Sequence, residues 1–443
     1  MFQLHDKTRR RITLAAFVSA GVLPLFLIAG WCVNRHLPGC AKADADALGR
    51  QLGLVVKLEA VRHLRPGVVL YDGIELADPE TGQTILRSRC LEVAWRRQAD
   101  SQGQLRPTLC VIASQPEIET AAIGRGWQWL QRLLENSPGR PQVNVQISAD
   151  AVTLRADERS QTMSEVAALL ETLPGRSSAQ IDFRLVGAET PEPACIRVVR
   201  SREVSPPASR FELSTGDGEL PCSVLALAID ELKPLGPRCR FHGQVWANET
   251  PDGWEGEVAG QLAELDFGSL ISDHFPHRLS GIGRATITSA RFHRGRLEEC
   301  CGVVAAERGT IGRSLLAAAV DRLGLVPGPA PLPPGDRVAY EELAMSVVLD
   351  ANGLRLRGLC GSAEPGTILS DGRNRLLGEP ARGSQPVAAF VQMLVPQSIV
   401  QVPASRQTDW LLRHLPVPDV LPPPGAEAVP PTARAHLPDE WQR

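Results

Sequence analysis

Three clusters in this chain hold residue types from which catalytic or metal sites are built. At Asp273-His274-Phe275-Pro276-His277 two imidazoles stand three residues apart beside a carboxylate. That set could grip a divalent metal if one helix aimed both rings at it. Pro276 breaks such a helix, which leaves a polar loop as the reading. Glu298-Glu299 beside Cys300-Cys301 offers carboxylates and thiols but reads as a solvated strand edge. Gly281-Ile282-Gly283-Arg284 lacks the third glycine and the following helix of a dinucleotide fingerprint, so it reads as strand glycine. Asp78 and Gly82 are turn formers before they are anything else. No reaction, cofactor or metal is expected from these residues.

Cysteine and charge narrow the field further. The chain has ten cysteines, and neither a C-x-x-C pair nor a His-x-x-x-His spacing brings them into a metal signature. Cys32 falls in the apolar N-terminal stretch and nine cysteines lie beyond it. In an exported location disulfides are chemically possible, although an odd number leaves at least one unpaired within the chain; most read as small core residues. With 47 Lys and Arg against 50 Asp and Glu, the formal charge is −3. No basic run occurs after the first dozen residues, so the chain has no electrostatic footprint for nucleic acid.

The elements that would position any site begin with Ile12 to Val33, 22 residues without a charge. That is the length a helix needs to cross a bilayer. Lys7, Arg9, Arg10 and Arg11 precede it and only Arg35 and His36 follow closely. The bias predicts residues 1–11 in the cytoplasm, a single pass through the inner membrane, and the bulk in the periplasm. A cleaved signal peptide is the alternative, since Ala41-Lys42-Ala43 resembles a cleavage site, but signal h-regions are shorter. Pro24 sits mid-span, where it either kinks the helix or marks a shorter h-region.

Beyond the span the pattern is β. A short helix over Ala41 to Leu52 with Gly53 at its C-cap leads into Leu54 to Ala60, whose apolar residues alternate with Lys57 and Glu59. Val68 to Ala77 is a strand with a bulge expected at Gly73. The turn Asp78-Pro79-Glu80-Thr81-Gly82 precedes the strand Leu86 to Trp95, in which Leu91, Val93 and Trp95 share a face. Ala151 to Arg155 and Ile181 to Leu185 are further alternating strands, while Met163 to Leu173 has helix formers between strand neighbours and stays open. Trp127 to Leu134 is a helix candidate, either a cap on the sheet or a membrane-surface helix. A helix is expected over Leu220 to Glu231, ending before Pro234. Strands follow at Cys239 to Ala247, Trp254 to Leu262 and Ile282 to Ile287, with a further run through Leu297. Then come a helix over Ile311 to Leu323, a stiff connector at Pro327 to Pro334 and a hairpin with Asn352-Gly353 at its tip. Periodicity is lost from Ser362; the Pro-rich run after Pro416 reads as disordered, with a short helix near Gln407 to His414.

The expected architecture is mainly β with a few short helices, an elongated antiparallel sheet in one or two lobes. The divisions are an N-terminal lobe over 34–200, a C-terminal lobe over 201–361 and an irregular tail over 362–443. A long sheet with one apolar face must either pack that face against another layer or leave it for an apolar ligand, and few helices are available as that layer. Val56, Leu58, Leu91, Val93, Ile181 and Phe183 are the candidate ligand-facing residues. The rival is a closed core acting as a scaffold or assembly adaptor.

Four passages give this chain a family likeness. They are LGRQLG with the meander Arg65 to Trp95; LAELDFGSLI at Leu262 to Ile271; LSGIGRATITSARFHRGRL at Leu279 to Leu297; and TIGRSLLAAAVDRLGL at Thr310 to Leu325 with the hairpin ending in LRLRG. Together they cover about a third of the chain, and their order resembles the AsmA-like superfamily, which includes AsmA and TamB. The resemblance implies a curved, taco-like trough whose concave face shields phospholipid acyl chains, with roles in phospholipid transport and outer-membrane biogenesis. It makes membrane lipid the expected partner, with other envelope proteins beside it. This chain is shorter than the long members, which suits an assembly of copies or a role at the inner-membrane end.

Overall fold

The computed structural model describes residues 6–395 apart from 36–37, 100–102, 120–142, 157–158, 174, 186–191, 204, 206 and 227–229. The helix candidates at Trp127 to Leu134 and Gln407 to His414, and the run after Pro416, lie outside the described residues. Helix α1 (Asp6–Phe17) continues through a π-helical turn (Val18–Val22) into α2 (Leu23–Arg35). The π turn ends just before Pro24, which has no N–H to donate, so the irregular turn takes up the missing bond. Within this helix Arg10–Leu27 is long and apolar enough to cross a membrane, and none of it is buried by the rest of the chain.

Helix α3 (Pro38–Leu52) turns Ala45, Leu48 and Leu52 onto the first strands. The first group is β1 (Val55–Lys57), β2 (Ala60–Arg65), β3 (Val68–Ala77), β4 (Thr84–Ala99), β5 (Leu105–Ser114) and β6 (Glu117–Glu119). The second is β7 (Asn144–Ala156), β8 (Arg159–Leu173), β9 (Arg176–Leu185), β10 (Ala194–Ser201), β11 (Ala208–Ser214) and β12 (Leu220–Pro221). After the one-turn helix α4 (Cys222–Leu225) come β13 (Arg240–Thr250), β14 (Gly253–Asp266), β15 (Leu279–His293) and β16 (Arg296–Gly312). Helix α5 (Arg313–Leu323) leads to β17 (Leu325–Pro327), β18 (Arg337–Asp350), β19 (Gly353–Gly358), β20 (Thr367–Ser370), β21 (Arg375–Pro380) and helix α6 (Val387–Leu394).

All 21 strands of the described residues belong to one elongated sheet. Pairing follows chain order for most of its length, as short turns dictate. The sheet runs without a break from β10 to β11 and on to β13, so position 200/201 is not a gap between sheets. It is mixed rather than wholly antiparallel, because β7 lies parallel to both β5 and β6. A parallel neighbour needs a crossover connection rather than a hairpin, and residues 120–142 intervene there.

Bulges set the phase of the long strands. Glu165, Glu264 and Arg308 adopt positive φ of 50°, 53° and 54°, and a register shift falls at each of them. Gly73 has φ 60°, yet the β3–β4 register is unchanged across it, from Asp72 opposite Cys90 to Ile74 opposite Ser88. The expected bulge is therefore a kink without an inserted residue. A side chain at 73 would collide with that of Glu59, 2.3 Å from its Cβ position.

One segment left open by its pattern is decided, and several expectations are corrected. Met163 to Leu173 is strand in β8, because pairing on both sides with β7 and β9 overrides helix propensity. Leu220 to Glu231 is not one helix: Leu220 and Pro221 are strand, and among the described residues between them and the 3₁₀ segment at Asp230–Leu235, which contains Pro234, the helical stretch is Cys222–Leu225. The helix expected from Ile311 begins at Arg313, since Ile311 and Gly312 still pair with β18. The hairpin tip is Ala351-Asn352, with Asp350 opposite Gly353. Residues 362–395 are not irregular; they supply β20, β21 and α6. In Thr367–Ser370 all four residues are buried, so no alternation marks the strand. The Pro-rich connector is pinned, as the Arg313 guanidinium donates to the carbonyls of Leu332, Pro333 and Gly335.

The largest core lies toward the C-terminus. There α5 and α6 press Leu315, Leu316, Leu323, Val391 and Leu394 against strand residues such as Val338 and Leu369. Buried His277 ties these helices to the sheet, with Nδ1 3.1 Å from Ser314 Oγ and Nε2 2.7 Å from the Met393 carbonyl.

Candidate functional site

The clusters that could have done chemistry are dispersed by the fold. His274 bonds the Ser269 carbonyl (2.9 Å) while His277 is engaged between α5 and α6, so the two rings serve different partners. Cys300 packs toward the main core, whereas Cys301 lies near Glu299 (3.7 Å) on the other face, and Glu299 also pairs with Arg291 at 3.5 Å. Among the described residues no group of three metal-ligating side chains forms.

The feature that dominates the molecule is a row of apolar side chains running across the sheet from strand to strand. In register it passes from Val69 to Val93, Val111, Ile147, Ala168 and Ile181. From Ile181 it continues through Ile196, Leu213, Val245 and Val258 to Ala290, Cys300, Leu349 and Leu354. These are fourteen strands, β3 to β19 without β6, β12 and β17, and every position is apolar. At ~4.8 Å per strand step, thirteen steps give a path of roughly 60 Å.

A second apolar row runs beside the first. It passes from Trp95 through Leu109, Val145 and Leu170 to Ala179, Val198 and Phe211. The two-residue period of a strand places both rows on one face. Beyond the second row the same face turns polar at Thr172, Ser177, Arg200 and Ser209, which bounds the apolar band.

The opposite face is a solvent face. Its matching row holds Gln146, Gln180, Arg197, Glu212, Glu257 and Arg291, interrupted by Leu169 and Trp246. Arg197 donates to Gln180 Oε1 at 2.8 Å, and Ser289 donates to Glu257 at 2.7 Å. The sheet is thus strongly amphipathic across its strands, not only along them.

Cover on the apolar face is uneven. At the C-terminal end Leu349 and Leu354 are sealed within the main core. At the N-terminal end α3 covers Val56 and Ile74, with Leu58, Leu76 and Leu91 packed around them. In between, Val224 of α4 lies against the cluster of Ala113, Ala149, Val152 and Leu154, while Leu225 touches the Phe183 cluster and the main core. Most of the first row from Val93 to Val258 is only half-buried, with Ile147 40% exposed; on the second row Trp95 is 58% exposed while Ala179 and Val198 are buried.

Of the six residues proposed from sequence, Val93 and Ile181 stand on the half-buried row. Val56 (9% exposed) and Phe183 (2%) are enclosed in packed clusters, and Leu58 and Leu91 pack beside α3. The others on the row, such as Val111, Ile147 and Ile196, lie in stretches of β5, β7 and β10 that the sequence reading did not single out. Which of these strands would line up needed the register.

No family model matches this chain, and neither a curated protein nor a solved structure matches it.

Proposed function

We propose that this chain is a non-enzymatic, membrane-anchored envelope protein that shields or transfers phospholipid by seating acyl chains along the half-buried apolar band. The observation that carries the reading is the unbroken apolar row, bordered by polar residues and backed by a charged outer face. Monomeric proteins rarely keep so extended an apolar surface without a use for it. Each methylene removed from water is worth about 0.8 kcal/mol, so a band this long retains an acyl chain without any polar recognition. The AsmA-like pattern of the sequence points the same way. An outer-membrane biogenesis role follows from that resemblance.

The anchor reading supplies the lipid. Arg9, Arg10 and Arg11 ahead of the apolar helix favour a cytoplasmic N-terminus in the inner membrane, with the sheet in the periplasm. With a C-terminal tag, the full-length chain is degraded by added protease only after the outer membrane is opened; protection in both states overturns this topology.

The function itself is tested by extracting the full-length chain in a mild detergent and measuring bound phospholipid by mass spectrometry after delipidating washes. Phospholipid is retained at a fixed ratio to protein. A chain free of phospholipid is instead a scaffold with a closed core, a reading favoured by the enclosure of Phe183 and Leu354.

A further inference from the structure

Cys222 and Cys239 are among the most deeply buried side chains of the described residues, 1% and 0% exposed, and their sulfurs are 3.0 Å apart. The β12–β13 register pairs Leu220 with Phe241 and Pro221 with Arg240. One step further along, Cys222 faces Cys239 across the ladder, and the Cys222 N–H donates to the Cys239 carbonyl at 2.8 Å. A disulfide bond is ~2.05 Å long, so the two sulfurs need to close by only about 1 Å within a pair already held by the backbone.

The geometry points to Cys222 and Cys239 as a dithiol that closes into an intrachain disulfide, locking α4 onto β13. The bond forms by exchange with a protein or small-molecule disulfide. One thiolate attacks that disulfide to give a mixed disulfide and release one thiol. The other cysteine then attacks the first cysteine's own sulfur, breaking its bond to the external sulfur and releasing the second thiol. Two cysteine thiols are oxidised, one external disulfide is reduced to two thiols, and both protons leave with the released thiols.

The surroundings favour this pair over the other cysteines. The Cys222 thiol donates to the Cys239 sulfur, and that hydrogen bond holds the Cys239 thiol below its usual range. Burial pushes the Cys195 and Cys360 thiols up to about 11, where thiolate is scarce. Cys300 and Cys301 are adjacent but face opposite sides of the strand. The consequence of the bond reaches beyond α4, because Val224 and Leu225 touch three hydrophobic clusters and span both halves of the sheet. Exchange requires α4 to lift, so the bond is slow to form in the folded chain and hard to reduce once made.

The test uses purified full-length chain in detergent, equilibrated with glutathione buffers of increasing oxidised fraction, quenched in acid, alkylated under denaturing conditions and mapped by mass spectrometry. It is independent of where the chain resides and of whether it binds lipid. The Cys222 and Cys239 peptides are expected to appear joined, with the remaining cysteines alkylated. The oxidised chain should melt roughly 5 °C higher than the reduced one. The double variant Cys222→Ala with Cys239→Ala should lose that redox dependence. Full alkylation of both residues in excess oxidised glutathione, or a redox-dependent melting shift that survives in the double variant, overturns the assignment.

Discussion

Aspartate at Val93 and Ile147 together lowers the phospholipid recovered with the purified chain by about tenfold or more. Both residues sit on the half-buried row, Val93 opposite Val111 and Val111 opposite Ile147, so the two carboxylates fall within one acyl chain's length of each other. Seating hydrocarbon over a carboxylate means stripping its water, which costs several kcal/mol when nothing replaces the lost hydrogen bonds. A factor of ten in affinity needs only about 1.4 kcal/mol. Because these positions are not sealed, the carboxylates stay hydrated in the lipid-free chain and the fold survives. Leu169→Asp is the control: Leu169 is 39% exposed but lies on the outer face, between Gln146 and Gln180. Its lipid content should equal that of the unaltered chain. Equal loss from the two faces, or no loss from either, would show that the apolar row does not hold the lipid.

Gly309→Ala destabilises the chain by about 2–4 kcal/mol. A Cβ at 309 would lie 2.1 Å from the Ser280 carbonyl oxygen and 2.4 Å from the Tyr340 hydroxyl. Neither atom is at the end of a flexible side chain. Ser280 O belongs to β15, and Tyr340, 2% exposed, donates its hydroxyl proton to that same oxygen at 2.7 Å. Burial pushes the Tyr340 hydroxyl up to about 12, so it stays protonated and keeps donating across the neutral range. The bulge at Arg308 brings these strands together, and β16 is held on both sides by β15 and β18, so the strand has no direction in which to yield. Gly383→Ala provides the reference, since nothing lies within 4 Å of its Cβ position. Denaturant unfolding of the two variants should separate them clearly, and matching midpoints would refute the steric account.

Much of the molecule is legible in the sequence. Strands with one wet face wrote themselves as alternation: in β15 the exposed positions Ile282, Arg284, Thr286 and Thr288 alternate with buried or half-buried ones. The turn after β3 was legible in its chemistry, and it forms with Asp78 accepting from the Glu80 N–H and the Thr81 hydroxyl. The apolar helix at the N-terminus was legible in its length. Where a segment was buried on both sides, or short, the pattern failed, as at Thr367–Ser370.

What the sequence determined by itself was which side of each alternating strand is apolar, because that depends only on a period of two within a single strand. It did not determine that fourteen such sides would meet in one row, since this rests on the register between strands, and the register is set by bulges at Glu165, Glu264 and Arg308. Nor did it distinguish Phe183 from Ile181, two residues apart on one face of β9. The first is enclosed by Leu213 and Leu220 and the second remains half-buried. Only the landing of α3, α4, α5 and α6 on particular stretches of the sheet decided what is covered, because cover comes from residues distant in the chain, and no local period carries that information.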